Sequence, residues 1–289
     1  MSNLPLVIYH ANCNDGSAAA TCAYKHFGLE AEYYPASHYS SFDCSKAKDR
    51  KVYFLDFCFP VDVMREIKLL AKKLTILDHH KTAEEAMKEL TFEGQFDMEK
   101  SGARLAFEHF VAKDNSFHDL WPSQYLTFER FVNWVQDRDL WQFKLENTKE
   151  VNDYLFSLPS FTVDTAMVWL DLFTGKDQTD IISAGKVISQ YRAKQTKLAL
   201  DRAFKAKMFN EEVWLVNETG ICSDIVEELA NRGKFGAAYY VTKDGKHIYS
   251  LRSTGDFDVS EIAKSITGGG GHKNAAGCSS LIPLHERVC

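Results

Sequence analysis

The stretch Leu74-Thr75-Ile76-Leu77-Asp78-His79-His80-Lys81-Thr82-Ala83 decides how this chain is read. Leu74 to Leu77 form a short, mostly β-forming apolar run of strand length. Such a run fits a strand buried on both faces, as in a parallel sheet. Its end delivers one carboxylate and two imidazoles to the carboxyl edge of the sheet, where open α/β folds place their ligands. Side by side, these donors suit a transition-metal ion better than a hydrophobic core. Adjacent histidines also occur in ordinary surface turns, so the triplet alone leaves both readings open. Its neighbours decide.

Upstream, Leu6–Tyr9 reads as a strand, Gly16–Phe27 as a helix of small residues, Glu32–Tyr34 as a strand and Lys51–Asp56 as another. Val61–Lys73 has helical spacing, with apolar residues at 61, 64, 67, 70 and 71. Strand and helix alternating at this interval predict βαβ units and a parallel sheet with helices on both faces. Downstream, Ser101–Ala112 and Tyr125–Asp137 look helical. From Ile181 to Phe209 the sequence reads as one long helix broken only at Gly185. Beyond it, strand-like Val213–Val216, Ala237–Val241 and His247–Arg252 mix with helix-like Ser223–Asn231 and Val259–Ile266. The expected division is an N-terminal parallel-sheet domain over 1–180, a linker helix over 181–209 and a smaller α/β domain over 210–289.

At 289 residues the chain has room for two ordinary domains. Its 45% hydrophobic and 26% charged residues are those of a globular protein, and the net charge of -6 argues against a protein that coats long nucleic acid. A local cluster can still hold a small phosphorylated ligand. The seven cysteines, at 13, 22, 44, 58, 222, 278 and 289, form no CxxC pair and are odd in number, which predicts a reduced, cytoplasmic setting. The start, Met1 to Tyr9, lacks the basic and apolar regions of a signal peptide, and no apolar run approaches membrane-spanning length.

Each early strand ends in the same chemistry. His10 and Asp15 follow the first, Asp56 ends the KVYFLD strand, Asp78-His79-His80 ends LTIL, and Asp137 and Asp139 lie in Gln136-Asp137-Arg138-Asp139. Any one acid could be a surface cap. Together they are candidate ligands for a divalent ion, with Asp56 able to bridge two. Two ions about 3.5–4 Å apart clamp a phosphoryl group and activate water for in-line attack. In that site Asp78 would orient an imidazole from behind.

The sequence resembles the DHH phosphoesterase superfamily, which includes RecJ-type exonucleases, nanoRNases, cyclic-dinucleotide phosphodiesterases and some polyphosphatases. Asp78-His79-His80 is similar to the motif that names it, Leu55-Asp56-Phe57 to the preceding strand-end motif, and Asp137 in Val135–Trp141 to the fourth. Gly268-Gly269-Gly270-Gly271-His272-Lys273-Asn274-Ala275-Ala276-Gly277 resembles the GGGHxxAAG element of the DHH-associated C-terminal domain. The first motif departs: His10-Ala11-Asn12-Cys13-Asn14-Asp15-Gly16 has Cys13 where a first Asp would stand. It is similar instead to the HxNCxDG start of an exopolyphosphatase-related branch.

The resemblance implies a two-ion site, usually manganese with magnesium as the alternative. His10, Asp15, Asp56, His79 and Asp137 would be its ligands, and Asp56, Asp78, His79 and His80 the catalytic group. Asp139 ranks second to Asp137. The C-terminal domain would grip substrate through Arg252, Gly269, Gly270, Gly271, His272, Lys273 and Asn274. Glycines there can aim backbone N–H groups at phosphate, and an arginine can bind it bidentately. Tyr33, Tyr34, His38 and Tyr39 are candidates to stack a base, and Ser101–Arg104 is a candidate anion site at a helix start. The implied function is a manganese-dependent hydrolase, a phosphodiesterase or oligoribonuclease-like exonuclease. It would act on short RNA, DNA or a small nucleotide, with no membrane or long-duplex partner and a homodimer admissible. The alternatives are an exopolyphosphatase and a binding or regulatory protein with a decayed metal site.

Overall fold

Five parallel strands form the first sheet: β1 (Leu6–His10), β2 (Glu32–Ala36), β3 (Lys51–Leu55), β4 (Lys73–Asp78) and β5 (Glu93–Phe96). Their spatial order is β2-β1-β3-β4-β5, every pair parallel. The computed structural model describes residues 3–288 except 38–40, 82, 85–87, 89, 91, 113–120, 176, 221, 267 and 268. The chain divides into two units, Met1–Ser189 and Gln190–Cys289.

In the first unit, strand alternation feeds two cores. Val7, Tyr9, Leu55 and Leu77 face helices α1 (Asn14–Phe27), α3 (Gly102–Phe107), α4 (Pro122–Asp139), α5 (Thr148–Ser157) and α6 (Ala166–Thr174). Leu6, Ile8, Val52, Phe54, Leu74 and Ile76 face α2 (Val61–Leu70) on the other side. Both faces are covered, so the strands read as continuous apolar runs. Each fully buried aliphatic or aromatic side chain contributes about 1.5–3 kcal/mol. Small residues Ala18, Ala19, Ala20 and Ala23 let α1 lie close to the sheet and to α3. The chain steps from β1 outward to β2, then returns past β1 to β3. That reversal puts a topological switch point at the carboxyl ends of β1 and β3, where such folds open a crevice.

The second unit carries a seven-stranded mixed sheet, ordered β10-β11-β9-β8-β7-β6-β12. Its strands are β6 (Phe204–Met208), β7 (Glu211–Asn217), β8 (Phe235–Val241), β9 (His247–Ser253), β10 (Gly270–His272), β11 (Ala275–Ser280) and β12 (Glu286–Arg287). Only β7 and β8 run parallel, joined through α8 (Cys222–Ala230). Separate cores cover its two faces, one including α9 (Val259–Lys264) and the other α8.

Three expectations are corrected. The long helix α7 spans Thr179–Leu200 and does not reach 209. Phe204–Met208 (FKAKM) alternates between buried and exposed positions and pairs with β7, so period two prevails over helical propensity. The expected helix over Ser101–Ala112 is α for Gly102–Phe107 and π-helical for Glu108–Ala112. Helix α4 begins at Pro122, three residues before the expected start. Proline's fixed φ and missing N–H suit a first helical turn.

Candidate metal centre

Strands β1, β3 and β4 end side by side, and the residues at their ends are His10, Asp56 and Asp78. Asp56 leaves β3 with a φ of 56°, a left-handed conformation uncommon for a residue with a Cβ. Gly102, the first residue of α3, makes room for it: a Cβ at 102 would lie 2.3 Å from the Asp56 Cβ. Gly102→Ala is therefore expected to destabilise the first unit by about 1–3 kcal/mol, as overpacking does. It should also displace the Asp56 carboxylate and weaken divalent-ion binding, which a thermal melt and an ion titration would read together.

Three carboxylates converge on the Nε2 atom of the buried His79. Asp56 Oδ1 lies at 3.1 Å, Asp139 Oδ2 at 3.4 Å and Asp15 Oδ2 at 3.7 Å. On its other side, Asp56 Oδ2 is 3.3 Å from His10 Nδ1. The Asp56 carboxylate thus sits between two imidazoles. Asp78 behaves differently. Its Oδ1 accepts from the backbone N–H of His79 at 2.7 Å and of His80 at 3.1 Å, and pairs with His80 Nδ1 at 2.8 Å. It braces the triplet from beneath.

Asp15 accepts from the backbone N–H of Gly102 at 2.6 Å and of Ala103 at 3.0 Å. The start of α3 thus takes its anion from within the chain. The neighbouring Arg104 pairs with Glu108 and Glu129.

The electrostatics show a cluster short of positive charge. Burial raises the Asp15 carboxyl well above the usual range, and the charges of Asp56 and Asp139 add to the rise. For Asp56, burial acts upward too, but the His10 and His79 imidazoles beside it outweigh that and hold the group well below that range. Burial would lower His79. The Asp56 hydrogen bond and the charges of Asp139, Asp56 and Asp15 overcome it and push the imidazole up to about 10. In the metal-free chain, protons on imidazole thus do the neutralising that a divalent cation could do. The donors fit such an ion: they mix carboxylate and imidazole, and the buried Asp56 Oδ2 has no hydrogen-bond partner of good geometry despite its closeness to His10. His10, Cys13 and Asp56 form one group of candidate ligand atoms within 4.8 Å of one another, and Asp15, Asp56 and His79 form a second.

Asp137 stands apart from this convergence. Its Oδ1 accepts from Lys144 N–H at 2.9 Å, and its Oδ2 from Leu145 N–H at 3.0 Å and the Thr148 hydroxyl at 2.5 Å. It ties the end of α4 to the start of α5, while Asp139 reaches the cluster. The sequence offered the signal in its Gln136-Asp137-Arg138-Asp139 run, but not the means to choose between the two acids.

The other candidates fall as follows. Tyr33 packs against Tyr24 and Phe161, and Tyr34 against Phe42 with the Lys46 ammonium 5.1 Å from its ring centre. Both are engaged in local packing. Thr82, His38, Tyr39, Thr267 and Gly268 lie outside the described residues. In the second unit, His272 pairs in register with Ala275, and Ala275 with Arg252, so three adjacent strands carry them in one row. Gly269 precedes β10, and Gly270 and Gly271 lie within it. Gly271 has a φ of 142°, and a Cβ there would come 2.4 Å from the Ala275 carbonyl oxygen, so glycine is required. Asn274 donates to Ser253 Oγ at 3.0 Å and to the Gly255 carbonyl at 3.2 Å, while Lys273 pairs with Asp256 at 3.1 Å. Asn274 and the Gly271 backbone thus shape the turn between β10 and β11.

A parallel sheet with acidic and imidazole side chains gathered at its carboxyl edge, followed by a mixed-sheet unit, defines a class of two-unit α/β proteins. Residues 206–281 match the DHHA1 domain family. The fold is also that of solved structures well below 25% identity. These include the DHH domain of a protein from a family of ribosomal proteins, at a TM-score of 0.61, 14% identity, 96% of this chain and 82% of that one. An exopolyphosphatase-related protein from Bacteroides fragilis gives 0.56 at 15% identity, covering 98% of this chain and 88% of that one. RecJ from Thermus thermophilus in complex with Mn2+ gives 0.54 at 14%, covering 96% and 49%. The whole chain thus shares the fold of these structures, and its second unit matches the DHHA1 family. In sequence it is 28% identical over 297 aligned positions to an uncharacterized protein of Acanthamoeba polyphaga mimivirus, which matches 94% of this chain. The chain spans 66% of that relative's length. Among the described residues, no helix is long and apolar enough to cross a membrane.

Proposed function

We propose that this chain is a divalent-metal-dependent phosphohydrolase acting on short oligonucleotides or a related small nucleotide phosphate, with manganese as its working ion. One observation carries the reading: three carboxylates meet at one buried imidazole, His79, with a second imidazole, His10, across the shared Asp56. That much anionic charge at the edge of a sheet needs a cation to balance it. Bound there, divalent ions would polarise a phosphoryl oxygen and make a nearby water acidic.

The chain's own residues would do the rest. His10, Asp15, Asp56, His79 and Asp139 hold the ions, Asp139 taking the place first expected of Asp137. Asp56 lies between the two ligand groups. Asp78 fixes both backbone and ring of the following histidines, so His80, with Nδ1–H given to Asp78, presents Nε2 to the water or to a phosphate oxygen. Arg252 and His272, in one row of the second unit, suit a terminal phosphate. The likeness to RecJ bound to Mn2+ supports the choice of ion, and the DHHA1 match supports a substrate-gripping role for the second unit.

The test is a panel of two- to five-nucleotide RNAs, cyclic dinucleotides, nucleoside bisphosphates and polyphosphate, each with manganese and with chelator. Manganese-dependent release from a nucleotide substrate, abolished in Asp56→Ala, is the expected result. Turnover of polyphosphate alone would move the assignment to an exopolyphosphatase, and ion binding without any turnover would make the chain a binding protein.

A further inference from the structure

We propose that Cys13 is a thiolate ligand of one of the two ions, which shifts that half of the site toward softer divalent metals such as zinc or cobalt relative to the half without sulfur. The inference rests on the metal-site reading above and concerns which atoms hold the ion.

Three observations converge. The Sγ of Cys13, a ring nitrogen of His10 and a carboxylate oxygen of Asp56 lie within 4.8 Å of one another, close enough to share one ion. Within that group Asp56 is 1% exposed, and its Oδ2 has no hydrogen-bond partner of good geometry. A buried carboxylate oxygen without a well-aligned donor therefore belongs to the residue that groups with His10 and Cys13, and it lies 3.3 Å from His10 Nδ1. Finally, Cys13 is the N-cap residue of α1 in an extended backbone conformation, yet its side chain makes no capping hydrogen bond. Its sulfur is free of the usual duty of that position and faces the His10 imidazole instead. Burial and the charge of Asp56 push the thiol up, so a bound cation is what would hold it as thiolate.

Sulfur, nitrogen and oxygen together form a set with a different preference from an all-oxygen and imidazole shell. Thiolate selects zinc and other softer ions, whereas carboxylate and water suit manganese and magnesium. Binding exchanges the thiol proton for the metal: the S–H bond breaks, a sulfur–metal bond forms and the proton leaves to solvent. The group of Asp15, Asp56 and His79 has no sulfur, so the two halves of the site would differ in preference.

Cobalt reports sulfur ligation directly. The purified metal-free chain, titrated with Co2+, should develop a thiolate-to-cobalt charge-transfer band in the near ultraviolet. That band should be lost in Cys13→Ser and Cys13→Asp but kept in Cys222→Ser, a change at the only other half-buried cysteine among the described residues. Cys13→Asp should still fold and bind two ions, with its zinc-over-manganese preference reduced at least about tenfold (about 1.4 kcal/mol). Two bound cobalt ions with no such band, or a band that survives both Cys13 variants, would overturn the sulfur assignment while leaving the metal site standing. Failure of wild type, Cys13→Asp and Cys222→Ser alike to bind any divalent ion would instead overturn the metal-site reading, and this inference with it.

Discussion

Asp139→Asn is expected to lose about a thousandfold in metal-dependent turnover with an unchanged or higher melting temperature in the metal-free state, whereas Asp137→Asn should melt lower and keep its chemistry. The two acids are two residues apart and do opposite work. Asp139 Oδ2 faces His79 Nε2 at 3.4 Å, near the charges of Asp15 and Asp56, so removing its charge relieves repulsion while depriving an ion of a ligand. Weakened transition-state charge stabilisation of about 4 kcal/mol corresponds to that loss in rate. Asp137 instead accepts two backbone N–H groups and the Thr148 hydroxyl. Hydrogen bonds to a charged acceptor contribute about 1.5–3 kcal/mol each and do not add fully, so the asparagine should cost about 3 kcal/mol. For a unit of this size that is about 6–12 °C in melting temperature. Thermal melts and initial rates at low temperature separate the two. Were Asp137→Asn to lose turnover while melting normally, the ligand role given to Asp139 would return to Asp137.

The reason sequence could not choose is geometric. On a helix of 3.6 residues per turn, positions 137 and 139 point about 200° apart, so one must face away from the sheet edge. The motif alone does not say which. Strand ends were a different matter: the apolar runs at Leu6–Tyr9, Lys51–Asp56 and Leu74–Leu77 end where the polar chemistry begins, so the ends of β1, β3 and β4 could be placed from residue type alone. Strand β5 (EGQF) carries no apolar run because it lies at the sheet edge, and β6 (FKAKM) offers too few apolar residues to contradict the helix before it. The double backbone cap on Asp15 comes from 87 and 88 residues further along the chain, a separation no local pattern can encode. The same holds for the left-handed Asp56, whose room depends on a glycine in another element.

Manganese affinity is expected to rise about a hundredfold between pH 6 and pH 8, a consequence of the proton on His79. In the metal-free chain the three surrounding carboxylates push this imidazole up to about 10, above its ordinary 6.5. A raised histidine stabilises the fold fully below about pH 6.5, and its share is lost as pH climbs from there through 10. Asp56 has the opposite sign: held well below its ordinary 3.8, it contributes above that value and its share is lost only in strong acid. Across pH 6–8, therefore, Asp56 stays charged and His79 stays protonated unless an ion displaces the proton from Nε2. Displacing one proton per ion makes affinity climb about tenfold per pH unit in this window. At fixed, near-saturating manganese the added stability should grow by about 2.7 kcal/mol over the two units, about 5–11 °C in melting temperature. Calorimetric titrations at both pH values, in buffers of different ionisation enthalpy, would count the released proton. Asp56→Asn removes the hydrogen bond that does most to raise His79, so in that variant affinity should drop and its pH slope flatten. A wild-type affinity that stays flat from pH 6 to pH 8 would mean that His79 is not the atom from which the ion takes the proton's place.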